Sequence, residues 1–114
     1  MNASPDLPSV DAAAAAAMGA DALLLDVRED DEWTAGHAPG ATHIPLGELP
    51  ARAGELDDSR RIVCICRSGN RSARATGWLR ARGIEAFNLD GGMRAWADAG
   101  LAIVDDQGRS GAVR

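Results

Sequence analysis

Two stretches of the chain are apolar with almost no alternation: ALLLDV at Ala22–Val27 and RIVCI at Arg61–Ile65. Strands buried on both faces, as at the centre of a parallel sheet, read this way because neither face needs a polar rhythm. Weaker strand signals lie at Leu7–Val10, Ala41–Ile44, Glu85–Leu89 and Leu101–Val104. Pro8 restricts the first to a sheet edge, since proline brings no N–H to the ladder. Between the strands the period becomes helical. The Ala12–Ala17 run has very high helix propensity, with Ser9 or Asp11 placed to cap it and Gly19 to end it. Asp30-Asp31-Glu32-Trp33 starts a short helix with acids at its positive end. Leu46–Ala53 has weak helical spacing. From about Asn70 to Arg82, the residues Ala75, Trp78, Leu79 and Arg82 recur at helical intervals and predict an inward stripe. Gly77 in that helix costs about 1 kcal/mol against alanine, which close backbone contact with the sheet would offset. Met93–Ala99 is a last helix, ended by Gly100.

This alternation, with no repeat and no linker, predicts a single α/β domain, with a mostly parallel sheet and helices on both faces. The domain spans residues 7–104, between a flexible N-terminal tail at 1–6 and a polar, glycine-containing, mobile tail at 105–114. Ligands of such sheets bind outside the carboxyl ends of the strands. Cys66 stands at the end of the second strong strand.

Composition narrows the chemistry. The chain has 114 residues, a net charge of -5 and a pI near 4.8, which argues against nucleic-acid binding through a basic surface. All of its basic residues are arginine, and five of them lie between Cys66 and Ile84 with no acid among them. A basic patch inside an acidic protein suits a small anion. No stretch is long enough to span a membrane. The alanine run lacks the preceding basic region of a signal peptide. Cys64 and Cys66 are separated by one residue on a strand, where a disulfide would be strained, so a reducing cytoplasm is the expected setting. His37 and His43 are not at ligand spacing from this pair, and no metal site is expected.

The segment Cys66-Arg67-Ser68-Gly69-Asn70-Arg71-Ser72 carries the candidate chemistry. A loop curling at Gly69 turns its N–H groups, from Arg67 to Ser72, toward the thiol. The helix beginning near Asn70 adds the positive end of its dipole, and Arg67 and Arg71 add fixed charge. Such surroundings bring a thiol pKa from roughly 8.5 into the range of about 3.5 to 7.5. An ionised thiol needs no neighbouring base. Cys64 is expected to be a core strand residue, with a resolving-thiol role as the alternative. A cysteine phosphatase or arsenate reductase needs Cys-x5-Arg to cradle a tetrahedral oxyanion. Arg71 comes one position too early for that, at the place where the next residue is Ser72.

This loop resembles the active-site loop of the rhodanese family, the thiosulfate sulfurtransferases. Leu25-Asp26-Val27-Arg28-Glu29 resembles the family's strand-end Asp-Val-Arg. Gly36-His37-Ala38-Pro39-Gly40-Ala41 with His43-Ile44-Pro45 resembles its Gly-His-Ile-Pro-Gly-Ala-x-x-Ile-Pro signature, with Ala38 replacing the usual isoleucine. Gly91-Gly92 with Ala95-Trp96 resembles its C-terminal element. The resemblance implies a five-stranded parallel sheet and a sulfur transfer through a Cys66 persulfide, with no cofactor. Thiosulfate or a similar anion would be the donor, and cyanide, a thiol or a sulfur-accepting protein partner the acceptor. Arg67, Ser68, Gly69, Asn70, Arg71 and Ser72 would bind the substrate, while Arg74 would only tune the field. Asp26 and Arg28 would support the site from behind through hydrogen bonds. His37 and His43 would be structural, and Trp33, Trp78 and Trp96 packing residues. A persulfide relay or docking module serving another protein is the alternative.

Overall fold

The computed structural model describes residues 7–114; the expected tail at 1–6 lies outside the described residues. The two apolar runs form β2 (Ala22–Asp26) and β4 (Arg61–Ile65), paired in parallel at the centre of a five-stranded sheet. β5 (Ala86–Leu89) lies beside β4, and two short strands, β1 (Ser9–Val10) and β3 (Thr42–His43), form the edges. The order is β1-β5-β4-β2-β3 and every pairing is parallel. Pro8 sits just before the edge strand β1, where its carbonyl accepts from the amide of Asn88 at 2.9 Å.

Successive residues of β4 feed opposite layers, as strand geometry requires. Ile62 and Cys64 join Leu23, Leu25, Leu49, Ala75 and Leu79 on one face, under α4 (Asn70–Ala81). Val63 and Ile65 join Ala12, Ala15, Met93 and Trp96 on the other, under α1 (Ala12–Ala17) and α5 (Gly92–Asp98). Both faces are therefore core, which is why neither central run alternates. Among the described residues there are two further short helices, α2 (Asp30–Ala35) and α3 (Leu49–Arg52), with 3-10 turns on both sides of α3. Asp11, rather than Ser9, caps α1: its carboxylate accepts from the Ala14 amide at 2.7 Å. Among the described residues no helix is long and apolar enough to cross a membrane.

Two expectations for α4 need correction. Its buried stripe is Ser72, Ala75, Thr76 and Leu79, one step round from the predicted one. Trp78 is only half-buried and Arg82 is exposed, with its guanidinium 3.9 Å from the Trp78 ring centre. Two small polar residues thus occupy the sheet-facing side beside the loop, which apolar periodicity does not register. Gly77 faces solvent, and a Cβ there would meet nothing within 4 Å, so no sheet contact offsets its cost.

Residues 105–114 also differ from the expected mobile tail. They fold back as a strap. The Asp105 carboxylate accepts from the amides of Gln107 and Arg109, each at 2.9 Å. Val104 bridges both His37 and Ser110, and the Ala112 amide donates to the Ala35 carbonyl at 3.0 Å. Val113 packs on the α1–α5 layer. The approach is backbone to backbone. A Cβ on Gly111 would come within 2.9 Å of the Ala35 carbonyl oxygen, so only glycine lets the strands of chain meet there.

Candidate active site

β4 ends at Ile65, and the chain turns through Cys66, Arg67, Ser68 and Gly69 before α4 begins at Asn70. Gly69 has φ of 112°, a conformation that a side chain opposes, and it caps the helix from that position. The turn is held from outside by the start of α5. The amide of Met93 donates to the Cys66 carbonyl at 2.8 Å, and that of Arg94 to the Arg67 carbonyl at 3.1 Å. Gly92 makes this possible, since a Cβ on it would lie within 2.7 Å of the Arg67 carbonyl group. With the carbonyls of 66 and 67 turned toward α5, the following amides face the thiol. The Gly69 amide donates to Cys66 Sγ at 3.0 Å.

Cys66 is only 1% exposed, at the floor of this cradle. Burial pushes its thiol pKa up. The Ser72 hydroxyl, with the amides of Ser72, Gly69 and Ser68, more than offsets burial and holds the pKa below the ordinary thiol value. Hydrogen bonds to the charged form, from the loop amides and the Ser72 hydroxyl, therefore carry the stabilisation. Cys64, two residues earlier and fully buried, is the contrast. Burial pushes its thiol up to about 12, partly countered by the Thr76 hydroxyl. It is a protonated core residue.

The other predicted site residues fall into four groups. Ser68, Asn70 and Arg67 are exposed on the rim, and Arg67 Nε donates to the Arg114 carbonyl at 2.9 Å. Ser72 is fully buried, with Oγ 3.3 Å from Cys66 Sγ. Arg71 does not stand free. Its Nη1 and Nη2 donate to Glu32 Oε1 and Oε2 at 2.7 and 2.8 Å, a two-pronged ion pair across the site. Glu32 is held at about 2 by the Arg71 hydrogen bonds, against its own burial, and the pKa of Arg71 is raised by the same contact. Asp26 and Arg28 lie behind the site as a fully buried pair, Nη2 to Oδ2 at 2.7 Å, and Arg28 also donates to the Gly36 carbonyl. The pair ties the end of β2 to the turn that follows α2.

His37 donates from Nδ1 to the Trp33 carbonyl at 2.8 Å, and His43 from Nε2 to the Arg28 carbonyl at 2.7 Å. Both rings stack parallel to Trp33, with centroids 3.5 and 4.8 Å away. They build the wall that presents Glu32. Glu32 and Asn88 escape the sequence reading. Glu32 reads as an ordinary first-turn acid of a helix. Asn88 is a lone amide in the apolar strand β5, where it donates to the Gly69 carbonyl at 3.1 Å and accepts from Ser72 at 2.6 Å. A polar side chain in an otherwise apolar strand, just before Asp90-Gly91-Gly92, was the available signal.

The family model for the rhodanese-like domain matches residues 9–99. The chain belongs to the rhodanese-like family. It is 40% identical over 89 residues to a sulfurtransferase of Allochromatium vinosum, covering 77% of this chain and 83% of that protein. Among solved structures it is similar to a rhodanese-related protein of Thermoplasma volcanium, with a TM-score of 0.82 and 31% identity, over 85% of this chain and 97% of that one. It is also similar to a thiosulfate sulfurtransferase of Pseudomonas aeruginosa, with a TM-score of 0.80 and 32% identity. That match covers 95% of this chain but 22% of the larger one. The general chemistry of this rhodanese-like domain is sulfur transfer or relay of the rhodanese type.

Proposed function

We propose that Cys66 accepts a sulfane sulfur from thiosulfate, or a similar small donor, and passes it to a thiophilic acceptor. The observation that carries the reading is the thiol with the Gly69 amide 3.0 Å away and the Ser72 hydroxyl beside it, at a strand end. In the loading step the Cys66 thiolate attacks the outer sulfur of thiosulfate. The new Sγ–S bond forms as the S–S bond of the donor breaks, and sulfite leaves with the electron pair. Cys66 then carries a persulfide whose outer sulfur is anionic and lies where the loop amides point. In the second step cyanide or a thiol attacks that sulfur, and the thiolate is restored. This is covalent catalysis by double displacement.

Because only 1% of Cys66 is exposed, the donor must offer its sulfur at the end of a slender group, as thiosulfate does. Arg67 on the rim attracts the anion, and its exposed position suits the release of sulfite. Two free cysteines suit a reducing compartment, and we place the reaction in the cytoplasm. The name of the Pseudomonas relative supports thiosulfate as donor. A second reading, delivery of the sulfur to a protein acceptor, is favoured by the exposure of Arg67, Ser68 and Asn70 around the thiol. Intact-mass spectrometry after thiosulfate treatment tests the core of the proposal. One sulfur is expected on Cys66, lost again on adding cyanide and never gained by Cys66→Ala; sulfur on the variant, or none on the parent, overturns it.

A further inference from the structure

Ser72 and Asn88 form a hydrogen-bond system around the thiol that the steps above do not use. Ser72 Oγ lies 2.6 Å from Asn88 Oδ1 and 3.3 Å from Cys66 Sγ. A hydroxyl has one proton to donate, so when Cys66 is ionised two acceptors compete for it. The orientation of Asn88 is set by its other end. Nδ2 donates to the Gly69 carbonyl at 3.1 Å, and a flipped amide would place oxygen against oxygen there. Oδ1 therefore faces Ser72. Cys66 is 1% and Asn88 9% exposed, so neither acceptor is well placed to bond solvent instead.

We propose that Asn88 is a positioning residue that competes with the Cys66 thiolate for the Ser72 proton, the hydroxyl changing acceptor as charge arrives at and leaves Sγ. With Cys66 as a thiol, S–H donates to Ser72 Oγ and Ser72 donates to Asn88, an unbroken chain. With Cys66 as a thiolate, the hydroxyl turns to Sγ and Asn88 Oδ1 loses its bond. With Cys66 as a persulfide, Sγ is uncharged again, the outer sulfur holds the charge, and the hydroxyl returns to Asn88. No covalent bond changes and no proton leaves Ser72. Asn88 thus favours the two states in which Sγ is neutral. It keeps the resting thiolate less stable, hence more nucleophilic, and it favours the loaded form.

The persulfide half of this inference rests on the sulfur-transfer reading; the thiol half does not. The other groups around Cys66 stay constant in the comparison. From α4 comes Arg71, offset by Glu32 of α2; from β4 comes protonated Cys64; from β2 come Asp26 and Arg28, paired with each other; and from the loop comes Arg67. The start of α5 presents uncharged Gly91 and Gly92.

The test is the pH dependence of iodoacetamide alkylation at Cys66, with the modified residue identified by mass. In Ser72→Ala the midpoint rises, and in Asn88→Leu it falls, each by up to about one pH unit, the worth of one hydrogen bond. A purely structural Asn88 gives the opposite sign, because a loosened loop withdraws its amides and the midpoint rises. In the double variant the Asn88 change has no further effect, since there is no hydroxyl to compete for. A rise or no change in Asn88→Leu overturns the proposal. If that variant does not fold, Asn88→Ala, which adds no bulk, carries the same expectation. The parent protein supplies a readout that needs no variant: the Asn88 side-chain carbonyl resonance moves upfield as Cys66 ionises, and a resonance that does not titrate with Cys66 overturns the competition. A parent that gains no sulfur but keeps this order of midpoints would sink the sulfur-transfer reading and leave the hydrogen-bond competition standing.

Discussion

Replacing Glu32 by glutamine removes the charge that holds Arg71 and leaves the shape almost unchanged. The pair is two-pronged, at 2.7 and 2.8 Å, with side chains 14% (Glu32) and 34% (Arg71) exposed. A carboxyl held at about 2 instead of 4.5 corresponds to about 3 kcal/mol of preference for the folded state. Arg71 is a third in water, so screening reduces that ceiling, and a loss of about 1–2 kcal/mol is expected for Glu32→Gln at pH 7. The sign of the pH dependence follows from the depressed pKa. The contribution is fully present above the unfolded value near 4.5, and it disappears as pH falls through about 2. Urea unfolding of parent and variant at intervals from pH 7 to pH 3 measures it. The stability gap should be constant down to about pH 5 and roughly halved at pH 3. A gap that stays the same at pH 3, or no gap at pH 7, refutes the reasoning. The same variant frees Arg71 Nη1 and Nη2 to meet an anionic donor. If Arg71 belongs to the donor site, the KM for thiosulfate falls as stability falls.

Other consequences are as direct. Gly77→Ala should stabilise the protein by about 1 kcal/mol, read from the denaturant midpoint, because the position is helical, exposed and unobstructed. Gly92→Ala should cost about 2–4 kcal/mol, combining a left-handed φ of 58° with a clash at the Arg67 carbonyl, and alkylation of Cys66 should slow as the loop is displaced. In the native parent, iodoacetamide near pH 7 should modify Cys66 alone; a comparable adduct at Cys64, which is fully buried and pushed up to about 12, would contradict the assignment of the two thiols.

The strand–loop–helix unit around Cys66 is legible in the sequence because its causes are local. An apolar run ends, a glycine allows the turn, and a helix-forming stretch follows. Central strands, helices on both faces and the position of the thiol at a strand end all follow from that rhythm. The loop count that separates Arg71 from the phosphatase spacing is likewise a property of consecutive residues. Where the sequence reading went astray, it extended a local pattern to a contact the pattern does not contain. Trp78 and Arg82 fit the apolar stripe of α4 by spacing, yet the buried face is set by Ser72 and Thr76 turning toward the loop and sheet. The polar segment 105–114 has the composition of a tail, but Gly36 and Gly111 permit a backbone contact that composition cannot express.

From the order of residues alone came the architecture and the place of Cys66 in a loop between a central strand and a helix. Tertiary structure alone decided what each residue of that loop holds. Arg71 meets Glu32, 39 positions away, because α2 and α4 both begin at the carboxyl edge of the sheet. Ser72 meets Asn88 because β5 lies beside β4, with Asn88 in register with Cys64. Hydrogen bonds and ion pairs depend on distance and direction within a few tenths of an ångström. Sheet order and register set those distances, and no local period of the chain encodes them.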